Sequence, residues 1–433
     1  MNRIILIGNG FDLAHGLPTQ YKDFIEHYWA KKVNEIKKEG KYIRFRNDYT
    51  GTRNDPVYKD KDIVISYSTP LNASSIPKVI KDFFKNEDIT VSLVYKNTFL
   101  RRIMISYEKK TWVDIEEEYF SALNDCIMNN RIGIDNLNHE FAAIKDALVE
   151  YLKEKVKVEI DFPNRMILDN IYSDFNLDDF TKSGVDTIIE DEFQRILFLE
   201  NRKEKPTVAE KTLYLLRYIH DFLPDLDSTS FKTEFKSLLF NKVKAECYFY
   251  LLPKQLLFLN FNYTNTQKNY SYFDYFSQYS EGLKKELKIL ENETIHIHGR
   301  LIDCKNPIIF GYGDEKGKEY LEIENLNDNR FLENVKSIRY LDTDNYKRLL
   351  NFIDADKFQI FIMGHSCGLS DRTLLSRLFE HDNCVSIKVF YHQKEDGTDN
   401  YSDIVRNISR NFTNKAEMRE KVVNKTYCKP LTI

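Results

Sequence analysis

Four short stretches hold residues whose types and spacing could do chemistry. Gly8-Asn9-Gly10 follows the apolar run Ile4 to Ile7 and leads through Phe11 and Asp12 to Gly16-Leu17-Pro18. Glycines after a buried strand let backbone N–H groups approach a pyrophosphate, and a following helix adds favourable dipole charge. In the dehydrogenase spacing a third glycine would stand at Leu13, so the loop is a poor hydride-transfer motif. Asn262 and Thr264 follow the run Leu256 to Leu259, and His298-Gly299 ends the run Thr294 to Ile297. Asn262 offers one acceptor and two donors. His298, with an ordinary pKa of about 6.5, suits a base near neutrality. His296 shares its strand face by period-two alternation but sits one step back. Gly364-His365-Ser366 follows Phe358 to Met363, with Asp371 shortly after.

These residues need elements to position them. Ile4–Ile7, Leu256–Leu259, Thr294–Ile297, Pro307–Phe310, Phe358–Met363 and Val385–Tyr391 are apolar runs of the kind that form strands buried on both faces. Most end in polar or glycine residues, which predicts one mainly parallel sheet of about six strands with a ligand crevice at its carboxyl ends. Asp23–Ile36, Val79–Phe84, Tyr107–Met128, Asn138–Val156 and Ala209–Phe222 have helical spacing. Gly40–Pro77 is polar and reads as a loop or β-poor excursion. The expected organisation is a split α/β domain at 1–30 and 250–395, a mostly helical insertion at 31–249, and a C-terminal segment at 396–433.

Composition narrows the classes. The chain has 433 residues, is 42% hydrophobic and 30% charged, and carries a formal charge of −4. That balance gives no electrostatic footprint for nucleic acid. Six widely spread cysteines without a CxxC pair read as reduced thiols, not as a disulfide framework or a zinc site. No signal-peptide pattern precedes the first strand, and no apolar run of about 18 residues occurs. The expectation is a cytoplasmic protein without a membrane partner or a bound metal.

Taken together, Gly8-Asn9-Gly10…Gly16-Leu17-Pro18, Asn260-Phe261-Asn262-Tyr263-Thr264, His296-Ile297-His298-Gly299 and Gly364-His365-Ser366…Ser370-Asp371 resemble the AbiH family of bacterial abortive-infection proteins. Thr111 to Glu118, TWVDIEEE, is similar to that family as well, with Trp112, Asp114 and Glu116 as a cluster that could face a cleft. The family in turn resembles the sirtuin-like proteins of phage defence. The resemblance implies a Rossmann-like, sirtuin-like fold, an NAD-binding site and NAD cleavage. Asn262 and His298 would be catalytic. Gly8, Asn9, Gly10, Phe11, Asp12, Gly16, Pro18, Thr264, Gly364, His365, Ser366 and Asp371 would bind the nucleotide, with the Gly364–Ser366 turn at its adenosine-ribose and phosphate end. Thr264 departs from the pattern, which has Asp there to help hold the nicotinamide end. The cysteine pairs of true deacetylases are absent, so deacetylation is not implied.

Cleavage of the nicotinamide–ribose bond passes through an oxocarbenium-like state with an already cationic leaving group. It calls for a polar group to fix the ribose hydroxyls and for a base. Asn262 and His298 match those two tasks. A strand-end Asn is also a common turn-maker, and a His before Gly can be a buried turn residue. Two other readings stay open. One is a non-catalytic nucleotide sensor. The other is a serine hydrolase with Ser366 in a Gly-x-Ser-x-Gly elbow, although only His381 and His392 follow it. The expected partners are NAD or a related nucleotide, a phage-derived trigger and a second copy of the chain.

Overall fold

The computed structural model describes residues 1–39, 56–67, 76–86, 91–110, 114–128, 133–157, 163–200, 210–222, 228–271 and 281–432. The chain divides into two compact units. One comprises Met1–His15, Val158–Ile308 and Tyr340–Ile433; the other comprises Gly16–Lys157 and Ile309–Arg339. Residues 158–249 of the expected insertion and the C-terminal segment lie in the first unit.

In chain order the strands are β1 (Asn2–Ile7), β2 (Pro56–Lys59), β3 (Ile63–Tyr67), β4 (Val91–Tyr95), β5 (Leu256–Asn260), β6 (Glu293–His296), β7 (Phe358–Met363), β8 (Cys384–Tyr391) and β9 (Lys429–Pro430). The first unit is α/β and Rossmann-like, built on a six-stranded sheet of order β6-β5-β1-β7-β8-β9. Every pairing in it is parallel. β1 is central, so Ile4, Ile5, Leu6 and Ile7 are all fully buried. At about 1.5–3 kcal/mol each, these four side chains are a large share of what holds the sheet together. On one face Ile5, Ile7, Phe258, Phe361 and Met363 pack against Ile167, Leu168, Ile171 and Tyr172 from the helix Arg165–Ile171 and its end.

The same face carries buried charge. Arg3 donates to the carbonyls of Ile171 (2.9 Å) and Ser173 (2.6 Å), and its guanidinium lies over the Phe361 and Phe175 rings. Lys388 pairs with buried Asp179 at 2.8 Å. Chain order places the reversal of strand sequence beside β1: β5 and β6 lie on one side of it, β7, β8 and β9 on the other. That is where ligands bind in open α/β sheets.

Three expectations are corrected. Pro307–Phe310 forms no strand. Pro307 has no N–H for a ladder, and the next amides are used elsewhere: Gly311 donates to Glu116 Oε1 and Tyr312 to Asn334 O. The sixth strand is β9, from the C-terminal segment, beside β8. Secondly, Tyr107–Met128 is not one helix. The helices are Thr98–Lys110 and Ile115–Met128, and Asp114 Oδ1 accepts from the Glu116 and Glu117 amides as the second one's cap. Thirdly, the described part of Gly40–Pro77 holds β2 and β3, which form an antiparallel sheet with β4 in the second unit. That sheet accompanies helices including Tyr21–Glu39, Lys78–Asn86 and Ile134–Lys155.

Candidate functional site

The site is built where β1, β5, β6 and β7 end. β7 leaves the sheet through Gly364, at φ 78°, and the chain turns again at Cys367, at φ 57°. Within this turn the Cys367 N–H donates to His365 Nδ1 at 2.9 Å. That bond puts the proton of a neutral His365 on Nε2, which lies 3.4 Å from Asp371 Oδ2. The other carboxylate oxygen, Oδ1, lies 3.2 Å from His298 Nε2. Asp371 precedes the helix Arg372–Phe379 and reads as a cap, yet its side chain makes no cap bond. It sits between two imidazoles instead.

All three side chains are buried. The Phe261 ring lies edge-on to both, with centroids 5.0 Å from His298 and 4.3 Å from His365. Tyr340 Oη is 3.2 Å from His298 Nε2, and its ring lies parallel to the imidazole. The turn after β7 is braced from the C-terminal segment. Asn407 donates to Ser366 O (2.8 Å) and Asn411 to Cys367 O (2.9 Å), both from the helix Tyr401–Asn411.

Asn262 is tied to Gly8, whose backbone packs against His365. Asn262 Nδ2 donates to Gly8 O at 3.0 Å, and its backbone N–H donates to Asn260 Oδ1 at 2.8 Å. Asn260, fully buried at the end of β5, also donates to Thr264 O and Gln267 Oε1, which pins the turn. Gln267 holds His296 at 2.8 Å, and burial pushes His296 down to about 4. His296 is therefore neutral and structural.

The glycine loop is explained largely by packing. A Cβ on Gly8 would stand 2.5 Å from His365 Cα, and one on Gly10 would stand 2.9 Å from Gly364 Cα. The amides expected to cradle a phosphate are partly spent. Gly8 N donates to Met363 O, Gly10 N to Gly364 O and Phe11 N to Gly8 O. The helix behind them, Asn9–Leu13, is a single short turn, and Phe11 belongs to the core. In this structure the Gly8, Gly10 and Phe11 amides are thus engaged within the fold.

Asp12 is 1% exposed; its Oδ2 accepts from Thr264 Oγ1 at 2.6 Å, while Oδ1 has no hydrogen-bond partner. A carboxylate thus stands beside Thr264 after all, supplied from the other side of the loop. Burial raises its pKa to about 6, and Thr264, Thr266 and Asn262 pull the other way.

Ser366 is exposed, and neither nitrogen of the adjacent His365 faces its hydroxyl, since one accepts from Cys367 and the other faces Asp371. His381 Nε2 is engaged by Asp354. Asn9 is exposed, while Gly16 and Pro18 belong to the second unit, where Tyr151 donates to Pro18 O at 2.7 Å. Trp112 lies outside the described residues. Glu116 is buried, accepting from Lys336 Nζ at 2.8 Å and from Gly311 N at 3.0 Å, so its carboxylate holds the second unit together. Tyr340, Asn407 and Asn411 are absent from the sequence reading, and Asn260 enters it only as part of a motif, without a role. Only Asn260 left a signal, its place in Asn-Phe-Asn at a strand end.

Among the described residues no group of three or more His, Cys, Asp or Glu side chains is placed to hold a metal ion. All six cysteines are free. A separate cavity of about 330 Å³ lies at the amino ends of β1 and β5, lined by Met1, Phe175, Asp191 and Lys254 among others, away from this chemistry.

A parallel sheet with its polar cluster at the carboxyl ends of the central strands defines a Rossmann-like α/β protein. The chain belongs to the AbiH family: the family model described as bacteriophage abortive infection AbiH matches residues 4–393. Membership makes phage abortive infection the setting of its function. The chain is also similar to the type IV secretion system protein CagE of Helicobacter pylori, with 27% identity over 136 residues. That stretch is 30% of this chain and 13% of CagE, so the chain spans only a small part of that protein. No solved structure matches the chain. No helix among the described residues is long and apolar enough to cross a membrane.

Proposed function

We propose that this chain is an abortive-infection effector that binds NAD or a related nucleotide and hydrolyses it to nicotinamide and ADP-ribose. The observation that carries the reading is buried His298, 3.2 Å from Asp371 Oδ1, just past the end of β6, while Asn262 stands just past the end of the neighbouring β5. Asp371 favours the tautomer with the proton on Nε2, which leaves the lone pair on Nδ1. That nitrogen takes a proton as water adds to the ribosyl carbon. The carbon–nitrogen bond breaks, and its electron pair passes to the cationic pyridinium, which leaves neutral. Asn262 commits Nδ2 to Gly8, so its Oδ1 is the atom offered to a ribose hydroxyl. The low dielectric around Phe261 and Tyr340 strengthens these contacts.

The test is nicotinamide release by purified protein. His298→Ala should lower turnover by about 10²- to 10⁴-fold, the usual contribution of a general base. Asn262→Ala should lower it by about 10²-fold, the scale of a lost positioning group. Full activity in His298→Ala refutes the mechanism. Nucleotide binding without turnover by the wild type, under every trigger tried, turns the reading to a sensor.

A further inference from the structure

The mechanism above uses one of the two imidazoles on Asp371. The second, His365, has its own fixed connection. Its Nδ1 is tied to the Cys367 amide at 2.9 Å, and its Nε2 faces Asp371 Oδ2 at 3.4 Å. The chain of contacts therefore runs from a backbone N–H, through His365, to the carboxylate that holds His298. We infer that His365 is a positioning residue: its N–H draws on the charge of Asp371 and so sets both the orientation and the basicity of His298. This assigns His365 away from the nucleotide's phosphate end, and it rests on the reading of His298 as the base.

The backbone around it is shaped for this role. Cys367 takes up a left-handed conformation that L residues rarely adopt, and that turn aims its amide at His365. Its thiol is fully buried. Asn411 and Asn407 hold the carbonyls on either side of that amide, which keeps the donor in place. Titratable groups facing His298 include Asp371 and Tyr340, with His365 acting across Asp371 and the Cys367 thiol also near Asp371. A neutral donor withdrawn from a carboxylate leaves more charge on the remaining oxygen, which favours the imidazolium opposite it.

Two isosteric changes separate the relay from mere packing. His365→Asn keeps an oxygen to accept from the Cys367 amide but withdraws the donor from Asp371. His365→Gln keeps an N–H within reach of Asp371 but loses the acceptor for Cys367. The full-length protein, with ¹³C-labelled histidines, is titrated by NMR, and the His298 signal is identified as the one lost in His298→Gln. His365→Asn should raise the His298 midpoint by about one pH unit, the scale of a hydrogen-bonding change at a charged partner. His365→Gln should leave it in place, and Asp371→Asn should lower it. An unmoved midpoint in His365→Asn, or equal shifts in both His365 variants, overturns the relay. Should no form release nicotinamide, the hydrolase reading fails, and the NMR midpoints still decide the relay by themselves.

Discussion

Replacing Asp12 by Asn tests the electrostatics of the site through stability alone. Burial raises the Asp12 carboxyl from 3.8 to about 6, against the pull of its hydroxyl and amide neighbours. The folded chain therefore holds this proton more tightly than the unfolded chain. Stability from this group is fully present below about pH 3.8, and it is lost as pH rises through about 6. The difference of about 2 pH units corresponds to about 3 kcal/mol at 1.36 kcal/mol per unit, an upper bound. Asn cannot ionise. Its amide nitrogen in the Oδ1 position lacks an acceptor and costs about 1–3 kcal/mol, but equally at every pH. The decisive quantity is the change in melting temperature between mutant and wild type, measured at pH 4.5 and again at pH 8. That difference should move in favour of Asp12→Asn by several degrees at the higher pH. A difference that does not vary with pH would show that Asp12 is not held in an environment hostile to its charge, and the account of the Asp12–Thr264 contact would fall.

Other outcomes follow from single contacts. Gly364→Ala places a Cβ 2.0 Å from Phe11 N at a φ of 78°, so thermal melts should show a loss beyond the about 1–2 kcal/mol of left-handed backbone alone. Glu116→Ala removes the carboxylate paired with buried Lys336 at 2.8 Å and should cost up to about 3–5 kcal/mol, whereas Glu116→Leu with Lys336→Met should recover much of it. Cys367→Ala keeps the amide that His365 uses; nicotinamide release should stay within about threefold of wild type, with a stability loss of about 1 kcal/mol. Asn411→Ala leaves the Cys367 carbonyl without its donor and should lower the melting temperature by an amount equivalent to about 1–2 kcal/mol.

The amino-acid sequence alone determined the parallel sheet, because strands buried on both faces must be apolar at every position. Ile4–Ile7 and Leu256–Leu259 satisfy that without any help from context, and Phe358–Met363 departs from it only at buried Gln359, which accepts from Arg3 Nε at 3.3 Å. It also located the strand ends, where Asn262, His298 and His365 stand, since polar residues directly after such runs must leave the sheet. What it left undetermined lies in contacts between residues far apart in the chain. β9 is two residues long and carries a proline, so no periodicity could mark it. Pro307–Phe310 has a strand's composition, yet its neighbouring amides are claimed by Glu116 and Asn334. Gly8 and Gly10 read as a phosphate loop, and nothing in the sequence shows that Gly364 and His365 pack closely against them. Asp371 has the local pattern of a helix cap, and tertiary structure alone turns it between two imidazoles. The reason is general: burial is written in residue type, whereas the partner of a buried polar atom depends on which distant segment arrives beside it.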